Sequence, residues 1–415
     1  MRKLLPSLMV SVAILTAAPA RADTVSDWIE FTNRIQNPTT GPAKGSPRAD
    51  VKHANTRVAL AMFEAANAID RRYETVLGMP AAEATASIEA AVVTAAVKVL
   101  LDHFPMKKQL IEESHTIAMD RIAVGAARDA GVKIGEQAAA LANAAGGIDP
   151  TIKLQQYRPF TKAGQWVPTD LPQVENGDLV FRPWALTRYD ALRPPPPPAL
   201  ASEVWARDYS EVLAVGERTS KTRTPMQTLM ARYRQAPDLT PALRQAANAP
   251  GRSLAQNARM FALLGMASDD AILVMADAKI HYDFWRPITA IRNAADDGNP
   301  ATEPVPGWVP LLSTPNFAEY PCGHCVYAGM IAEVMKAETG NAPAGGVRVA
   351  SLIAPDLAVQ VLPSWDAWMQ DVSNSRIYAG VHFRFSNDVG EAMGQATARG
   401  VMTKHAKPLT NRARN

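Results

Sequence analysis

The sequence predicts a mainly helical fold made of helical bundles, and three observations support this prediction. Apolar residues recur at helical spacing through most of the chain. Glycine and proline stand where these apolar patterns stop, as they do at helix ends. The composition, with 47% hydrophobic and 20% charged residues, excludes a disordered or collagen-like chain. The 415 residues are enough for two or three average domains or for one large helical domain.

Four helices are predicted in the N-terminal region, which we place at residues 23–148. Pro105 ends the second of these helices, and Gly146-Gly147 closes the fourth. The apolar spacing that indicates the first helix is the clearest of the four. Their expected bounds are Val51–Ile69, Ala81–Phe104, Lys107–Ile122 and Val132–Ala145.

A segment of different composition, residues 149–200, follows these helices. It is rich in proline and aromatic residues and ends in the run Pro194–Pro198, which is expected to be extended and stiff. We interpret the segment as an ordered crossing between two helical halves, and a disordered linker is the alternative. Its aromatic residues favour packing over disorder; they include Tyr157, Trp166 and Trp184.

Residues 201–415 form the predicted C-terminal helical domain. Helices resume near Ser202 and continue to about Arg292, and four prolines make Ala301–Tyr320 a loop. Alternating apolar residues in Val347–Ile353 allow a short strand. The remaining predicted helices are Gly323–Thr339, Trp365–Tyr378 and Asp388–Lys404.

Residues 1–22 have the pattern of a secretory signal peptide. Arg2 and Lys3 precede an apolar stretch, and Ala20-Arg21-Ala22 offers small residues at the two positions that a signal peptidase reads. An uncleaved membrane anchor is the alternative, but the apolar stretch is short and contains Pro6. We therefore expect a secreted or periplasmic protein without a transmembrane segment.

The charge of the chain gives no indication of a nucleic-acid partner. The formal net charge is +3, and the signal-like segment contributes three cations and no acid. The rest of the chain is therefore neutral, whereas nucleic-acid-binding domains usually present a basic face.

Three short segments concentrate residues that can bind an oxyanion. In the first, Lys279 and Arg286 are seven residues, or two helical turns, apart, so we expect them to share a helix face, and Pro287 then ends or kinks the helix. Two cations on one face can hold one anion, although a solvated basic face would show the same spacing. Three aromatic residues around the two cations favour partial burial, and a buried cation needs a partner.

The second segment, Phe317–Cys325, is a proline-containing loop that turns through Gly323 into a helix. Backbone N–H groups at a helix start attract anions, and glycine lets a ligand approach the backbone closely. His324 lies in the first turn of this helix, where it can exchange protons near neutral pH. A buried structural histidine is the alternative for this residue.

The third segment carries Arg376 and His382, whose six-residue spacing does not align them on one helix. We expect a break near Gly380 that lets both approach one site; a surface Arg and an unrelated His are the alternative. Together the three segments supply one Lys, two Arg, a glycine turn and two His. That set suits a tetrahedral or trigonal-bipyramidal oxyanion, since one His can attack or ligate the central atom and the other can transfer protons.

These segments resemble the signature of the superfamily of type 2 phosphatidic acid phosphatases and vanadium-dependent haloperoxidases. The signature is Lys, six residues, Arg-Pro; then Pro-Ser-Gly-His; then Ser-Arg, five residues, His, and the chain has counterparts of all three in this order. Phe284–Arg292 and Phe317 are similar in particular to bacterial relatives of vanadium chloroperoxidase. The strong resemblance covers residues 255–390, and a weaker one lies at Ala59–Asp70.

The resemblance implies a helical-bundle fold of the vanadium chloroperoxidase and acid phosphatase type, with a role for each matching residue. His382 would be the axial ligand of vanadium, or the phosphorylated nucleophile in a phosphatase, and His324 the acid–base group. Phe317 would lie near the halide. The groups implied to hold the vanadate oxygens are Lys279, Arg286, Cys322, Gly323 and Arg376.

The implied chemistry needs orthovanadate and neither haem nor a nucleotide. Hydrogen peroxide and a halide would then give hypohalous acid. In the alternative, the same pocket would hydrolyse a phosphate ester, because vanadate mimics the transition state of phosphoryl transfer. A third interpretation is a degenerate relative that only binds anions. The sequence leaves the oligomeric state open, a dimer included.

Two positions depart from the signature. Cys322 replaces the serine, and a thiol is a weaker hydrogen-bond donor than a hydroxyl. Ser386 stands where the superfamily usually has an acidic residue, which would orient the ligating imidazole. Ser386 can hydrogen-bond but brings no charge, which leaves the degenerate relative as an alternative.

The chain contains two cysteines, Cys322 and Cys325, and they also match a thiol–disulfide oxidoreductase pattern. No thioredoxin-like alternation of strands and helices surrounds them, so we expect at most a secondary role. A disulfide between them would tighten the turn and withdraw Cys322 from the anion site. With His324 they could also bind zinc, but one short cluster makes a poor structural zinc site.

Overall fold

The computed structural model describes residues 23–36, 48–147, 155–156, 161–168, 174–175 and 181–410. The predicted signal peptide lies outside these residues, as does Tyr157 of the crossing segment. The architecture is mainly helical, as predicted. Within the described ranges, no helix combines the length and the apolar character that crossing a bilayer requires.

Five helices form the described part of the N-terminal region. Ser87 begins the third of them by accepting a hydrogen bond from the Ala90 amide at 3.2 Å, and Pro105 follows its end. The first helix was not indicated by the apolar pattern. The bounds are α1 (Thr24–Gln36), α2 (Arg48–Ile69), α3 (Ile88–His103), α4 (Lys108–Met119) and α5 (Ala126–Ala144).

Eight helices follow in the described part of the C-terminal region. The stretch predicted as helical from Ser202 to Arg292 is divided into five of them, because capping boxes at Thr224 and Ser253 start new helices. The bounds are α6 (Glu203–Gly216), α7 (Pro225–Tyr233), α8 (Thr240–Ala247), α9 (Leu254–Tyr282), α10 (Pro287–Arg292), α11 (Gly323–Thr339), α12 (Trp365–Tyr378) and α13 (Arg384–Lys404). Two of these, α11 and α12, have the predicted bounds, and α13 begins before the predicted Asp388.

Short antiparallel strands complete the described structure. β1 (Gln155–Gln156) pairs with β2 (Val174–Glu175). A three-stranded sheet has the order β3 (Pro237–Asp238), β4 (Val347–Ser351), β5 (Gln360–Leu362), with Pro237 opposite Ser351 and Val347 opposite Leu362. The strand predicted within Val347–Ile353 is therefore confirmed.

The central element is α9, which joins the two helical halves. It packs against α2 of the N-terminal bundle and against α11 and α13 of the C-terminal bundle. Its residues are buried on nearly all sides, as expected for a helix that is apolar all round. One continuous apolar core therefore runs through both halves, and α9 delivers its C-terminal end to the motif region.

The described end of the crossing segment is packed, as the aromatic residues predicted. Trp166 is buried, and the backbone N–H groups of Trp184 and Ala185 donate to the Asp270 carboxylate of α9 at 2.7 and 2.8 Å. Further along, Arg193 forms an ion pair with Asp277 of the same helix at 2.8 Å. These contacts hold the segment along α9.

A second, aromatic core supports the loops that carry the three motifs. The Trp205 ring lies 5.8 Å from Phe284, 5.9 Å from Trp285 and 4.9 Å from Phe383, measured between ring centroids. Tyr320 joins the same cluster. Since these rings come from all three motif segments, their packing fixes the segments relative to one another.

Candidate oxyanion site

The three segments predicted from the sequence meet at one buried site. The first cation comes from the last turn of α9, the second precedes α10, and the third lies on α12. His382 lies in the connection between α12 and α13. The exposed fractions are small: 6% for Lys279, 1% for Arg286, 3% for Arg376 and 2% for His382.

Lys279 and Arg286 do not share a helix face, so that prediction was wrong. Helix α9 ends at Tyr282, and Asp283 caps it in the left-handed conformation with a φ of 41°. Arg286 is then extended and is the residue before α10. The two cations therefore reach the site from different elements, and tertiary packing brings them together.

The predicted break near Gly380 is confirmed. Helix α12 ends at Tyr378, and Gly380 has a φ of 76°, which favours glycine. A Cβ at this position would also lie 2.4 Å from the carbonyl oxygen of Gly216. The break turns the chain so that Arg376 and His382 both face the site.

Lys279 organises the loop before α11. Its ammonium group donates to the carbonyl oxygens of Ala318 at 2.8 Å, Glu319 at 2.9 Å and Pro321 at 2.6 Å. These three bonds use all of the donors of an ammonium group. Lys279 therefore contributes its charge to the site while its hydrogen bonds hold the loop in place.

The two arginines have donors left over for a ligand. Arg286 donates through Nε to the Phe317 carbonyl at 2.8 Å and through Nη1 to the Val381 carbonyl at 2.9 Å, whereas its buried Nη2 has no hydrogen-bond partner. Nε and Nη1 of Arg376 are also buried without partners. Buried donors are rarely left unpaired, so these nitrogens fit an oxyanion that accepts from both residues.

The proton on His382 is placed by its two neighbours. Nδ1 lies 2.7 Å from Oε1 of Glu319, and Nε2 lies 3.0 Å from Nη1 of Arg286. Arginine can only donate, so Nε2 must carry the lone pair and Nδ1 the proton of a neutral imidazole. Nε2 is therefore available to ligate or to attack the central atom of an anion.

Burial and like charge make the site unfavourable for cations until an anion enters. Burial lowers the pKa of Arg286 to about 9 and that of Arg376 to about 10, and burial followed by Arg286 lowers that of Lys279 well below its usual range. Burial, with the three cations, also keeps His382 neutral by lowering its pKa. Burial raises the pKa of Glu319 to about 7, against the opposing effect of Arg286 and Lys279.

His324 lies at the start of α11, as predicted, and is partly exposed. Its Nε2 is 3.1 Å from the carbonyl oxygen of Gln235. Burial and then the charge of Arg376 lower its pKa to about 3. His324 is thus neutral near pH 7.

Cys322 does not present a thiol to the site, which corrects the sequence-based role. It forms a disulfide with Cys325, and its sulfur accepts a hydrogen bond from the Cys325 amide at 3.2 Å. A disulfide sulfur has no proton to donate. The zinc alternative loses both thiols as well, and the described ranges contain no cluster of three or more His, Cys, Asp or Glu that could hold a metal ion.

Gly323 and Phe317 border the same site. A Cβ on Gly323 would lie 2.7 Å from the sulfur of Met275 on α9, so glycine here also permits close packing of α9 and α11. The Phe317 ring lies 4.8 Å from the Arg286 guanidinium and 5.2 Å from the Lys279 ammonium, and it is 43% exposed. Phe317 therefore forms a partly open rim over two of the cations.

The comparisons with known proteins agree with this geometry. Residues 259–411 match the family model described as the VCPO second helical-bundle domain. These residues, here termed the VCPO-type domain for this similarity, make up less than half of the chain. Over 89 residues, 19% of the chain, it is 33% identical to vanadium chloroperoxidase of Curvularia inaequalis, and this stretch spans 14% of that enzyme's length. All three motif segments lie within the VCPO-type domain.

Solved structures extend the likeness of fold beyond the VCPO-type domain. The structure titled as the first bacterial vanadium-dependent iodoperoxidase aligns with a TM-score of 0.72 and 19% identity, covering 94% of this chain and 98% of that one. A holo-type bacterial vanadium-dependent chloroperoxidase aligns with a TM-score of 0.64 and 16% identity, covering 88% and 93%. The fold is that of these proteins.

Sequence reasoning missed two residues of the site in the VCPO-type domain and its surroundings. Glu319 lies inside the second segment, and the signal for it was an acid among motif residues that are otherwise apolar or basic. Gln235 contacts His324 through its backbone carbonyl. No side-chain pattern can reveal a backbone contact between residues 89 positions apart, so only the fold shows it.

Proposed function

We propose that this protein is a vanadate-dependent haloperoxidase, which uses hydrogen peroxide to oxidise a halide. The observation that carries the proposal is the pairing of a lone-pair Nε2 on His382 with buried, unpartnered donors on Arg286 and Arg376. An oxyanion with a central atom that accepts a nitrogen ligand satisfies all of these groups at once.

Vanadate, when bound, would supply a Lewis-acid centre that activates peroxide. His382 would ligate it through Nε2, and the free nitrogens of Arg286 and Arg376 would hold its oxygens. The ammonium of Lys279 adds positive charge from beneath the loop. His324 is neutral near pH 7, and it would act as the general base and acid once a bound anion offsets the cations that lower its pKa.

The similar proteins support the same assignment. They are chloroperoxidases and an iodoperoxidase that depend on vanadium. Phe317, which is exposed at the rim beside two cations, is our candidate for the residue that borders the halide. Which halide the protein oxidises is measured in the assay.

A phosphatase is the second candidate, and the tautomer of His382 is what favours it. An unprotonated Nε2 is also a nucleophile for a phosphate ester, and the arginines would hold the phosphoryl oxygens. The departing alkoxide would need a proton, which His324 could supply only after taking one up.

One preparation of the full chain, assayed both ways, separates the candidates. Iodide, bromide and chloride oxidation by peroxide is measured with and without orthovanadate, beside phosphate release from a chromogenic phosphate ester. Vanadate-dependent halide oxidation that is lost in His382→Ala supports the proposal. The matched control is His281→Ala, which changes an exposed histidine near Lys279. Phosphate release that vanadate only inhibits would replace the proposal by the phosphatase.

We also propose that the protein works outside the cytoplasm. The signal-like pattern of residues 1–22 motivates this location, and the Cys322–Cys325 disulfide is compatible with an oxidising compartment. Fractionation of the source cells, with detection of the chain in the periplasm or medium, tests it; recovery with the cytoplasm would contradict it.

A further inference from the structure

The acidic partner of His382 is not at position 386, where the superfamily signature usually has an acid. The partner in this structure is Glu319. Ser386, four residues after His382, is buried and carries no charge. It does lie close enough to Glu319 to lower the pKa of that carboxyl. A carboxylate beside His382 is thus supplied by Glu319, from the loop before α11, and not by position 386.

Glu319 is held firmly enough to act on the imidazole. Its side chain is fully buried, its amide donates to the Phe284 carbonyl at 2.8 Å, and its own carbonyl accepts from Lys279 at 2.9 Å. Oε1 lies 2.7 Å from Nδ1 of His382 and accepts from the Phe383 amide at 3.1 Å. One oxygen therefore fixes both the ring and the adjoining backbone.

We infer that Glu319 is the positioning residue of His382, in the role that the superfamily assigns to an acid at position 386. By accepting a hydrogen bond from Nδ1–H it keeps the lone pair on Nε2, and it turns that lone pair toward Arg286. Partners of this kind orient a ligating histidine and raise its basicity. The substitution at Ser386 is then a relocation of the carboxylate rather than its loss.

A purely electrostatic role is the competing explanation, because Glu319 also faces the charges of Lys279 and Arg286. The two roles predict different variants that restore the properties lost when Glu319 is replaced. A carboxylate returned at position 386 restores a partner for Nδ1, whereas the buried charge alone does not choose the tautomer. The experiment therefore follows the imidazole proton directly.

The variants are Glu319→Gln, the double variant Glu319→Gln/Ser386→Asp, and Glu391→Gln as the matched control. Glu391 is a buried acid on α13 that bonds Ser373 and Gln370. Nitrogen-15 NMR of histidine-labelled full chain reports the His382 tautomer, and calorimetry with orthovanadate and with inorganic phosphate reports affinity. The measurements need neither peroxide nor halide.

Wild type and Glu391→Gln are expected to show the Nδ1–H tautomer of His382. Glu319→Gln is expected to show a mixed or Nε2–H tautomer and at least tenfold weaker vanadate binding, the range seen when partners of ligating residues are removed. The double variant should regain the Nδ1–H tautomer and most of the affinity. Since it keeps one buried carboxylate, it stays informative even if Glu319→Gln folds poorly.

Two results would overturn the inference: an unchanged tautomer in Glu319→Gln, or a folded double variant that resembles the single one. The inference rests on the proposed function only in taking His382 as the ligating residue. A wild-type chain that binds vanadate without oxidising halides would end the proposed function and leave this test intact. An unchanged Nδ1–H tautomer in Glu319→Gln would end the inference alone, because His382 would still carry its lone pair on Nε2.

Discussion

Burial of three cations around one carboxylate gives the site its preference for anions. Lys279, Arg286 and Arg376 are all at least nine-tenths buried, and within the described residues Glu319 is the one acid in contact with His382. The free energy of holding these charges out of water is recovered when an anion pairs with them.

Replacement of Cys322 by serine should strengthen vanadate binding. The change breaks the disulfide and puts a hydroxyl donor where the disulfide sulfur caps α11. A hydrogen bond to a charged group contributes about 1.5–3 kcal/mol, so calorimetry should show roughly tenfold tighter binding. Cys325→Ser is the matched control, since it also breaks the disulfide and adds no hydroxyl at position 322. Equal affinities for the two variants would contradict the prediction.

The pKa of His324 should rise when an anion binds. Burial, then the charge of Arg376, and to a smaller extent the charges of Arg286 and Lys279 lower the pKa of His324 to about 3. The contact with the Gln235 carbonyl opposes this change. A bound phosphate offsets these charges, so protonated His324 becomes less unfavourable and its pKa rises. NMR titration with and without saturating inorganic phosphate measures the change. A pKa that stays the same while phosphate is bound would show that the cations do not set it.

At the scale of elements, glycines decide how closely the helices of the C-terminal bundle pack. A Cβ on Gly394 of α13 would lie 1.9 Å from the Val326 carbonyl of α11, and one on Gly329 of α11 would lie 2.3 Å from the Glu391 carbonyl. Since backbone atoms cannot move aside as a flexible side chain can, these helices touch backbone to backbone. Their contact places the start of α11 beside the chain that leads from His382.

Gly394→Ala should destabilise the protein by at least about 2 kcal/mol, because the added methyl group forces α11 and α13 apart. Gly400→Ala, on the same helix with open space around its position, is the control and should raise stability by up to about 1 kcal/mol. Denaturant unfolding of the two variants beside wild type measures both effects. A neutral Gly394→Ala would mean that the two helices can separate without loss.

The elements also show where sequence patterns stop being informative. Helices α11 and α12 begin and end as predicted, because Cys322 or Ser364 caps each start and glycine follows each end. The break between α9 and α10 was not predicted. Asp283 forms a left-handed cap there, and an aspartate does not by itself indicate such a cap. A spacing of seven residues was therefore taken for a shared face that the folded chain does not have.

For the whole molecule, one junction ties both helical halves to the crossing segment. His53 of α2 and the Trp184 indole both contact Asp269 of α9, at 2.8 and 2.9 Å. Asp270 accepts from two backbone amides of the crossing segment, and His405 beyond α13 lies 3.1 Å from the Trp184 carbonyl. Carboxylates on neighbouring positions of α9 thus join α2 to the crossing segment, and Trp184 extends this junction to the end of α13.

Stability should depend on pH through Asp270. Burial raises its pKa from 3.8 to about 6, so the folded protein binds this proton more tightly than the unfolded chain does. Its contribution therefore falls as pH rises from about 4 to about 6 and is constant above, a change of about 3 kcal/mol. In Asp270→Asn this titration is absent, and the unfolding free energy of wild type minus variant should fall over the same range. A constant difference would contradict the assignment.

The sequence by itself determined the helical class, the order of three motifs and the residue types that an oxyanion needs. Those properties are local, because helical periodicity, caps and motif spacing are written in neighbouring residues. Tertiary structure alone decided that Glu319 meets His382 across 63 positions, that the Cys322 thiol is lost to a disulfide, and that Lys279 and Arg286 arrive from different elements. The physical reason is that charge, burial and proton position depend on everything that surrounds a side chain, and a linear pattern records only its neighbours in the chain.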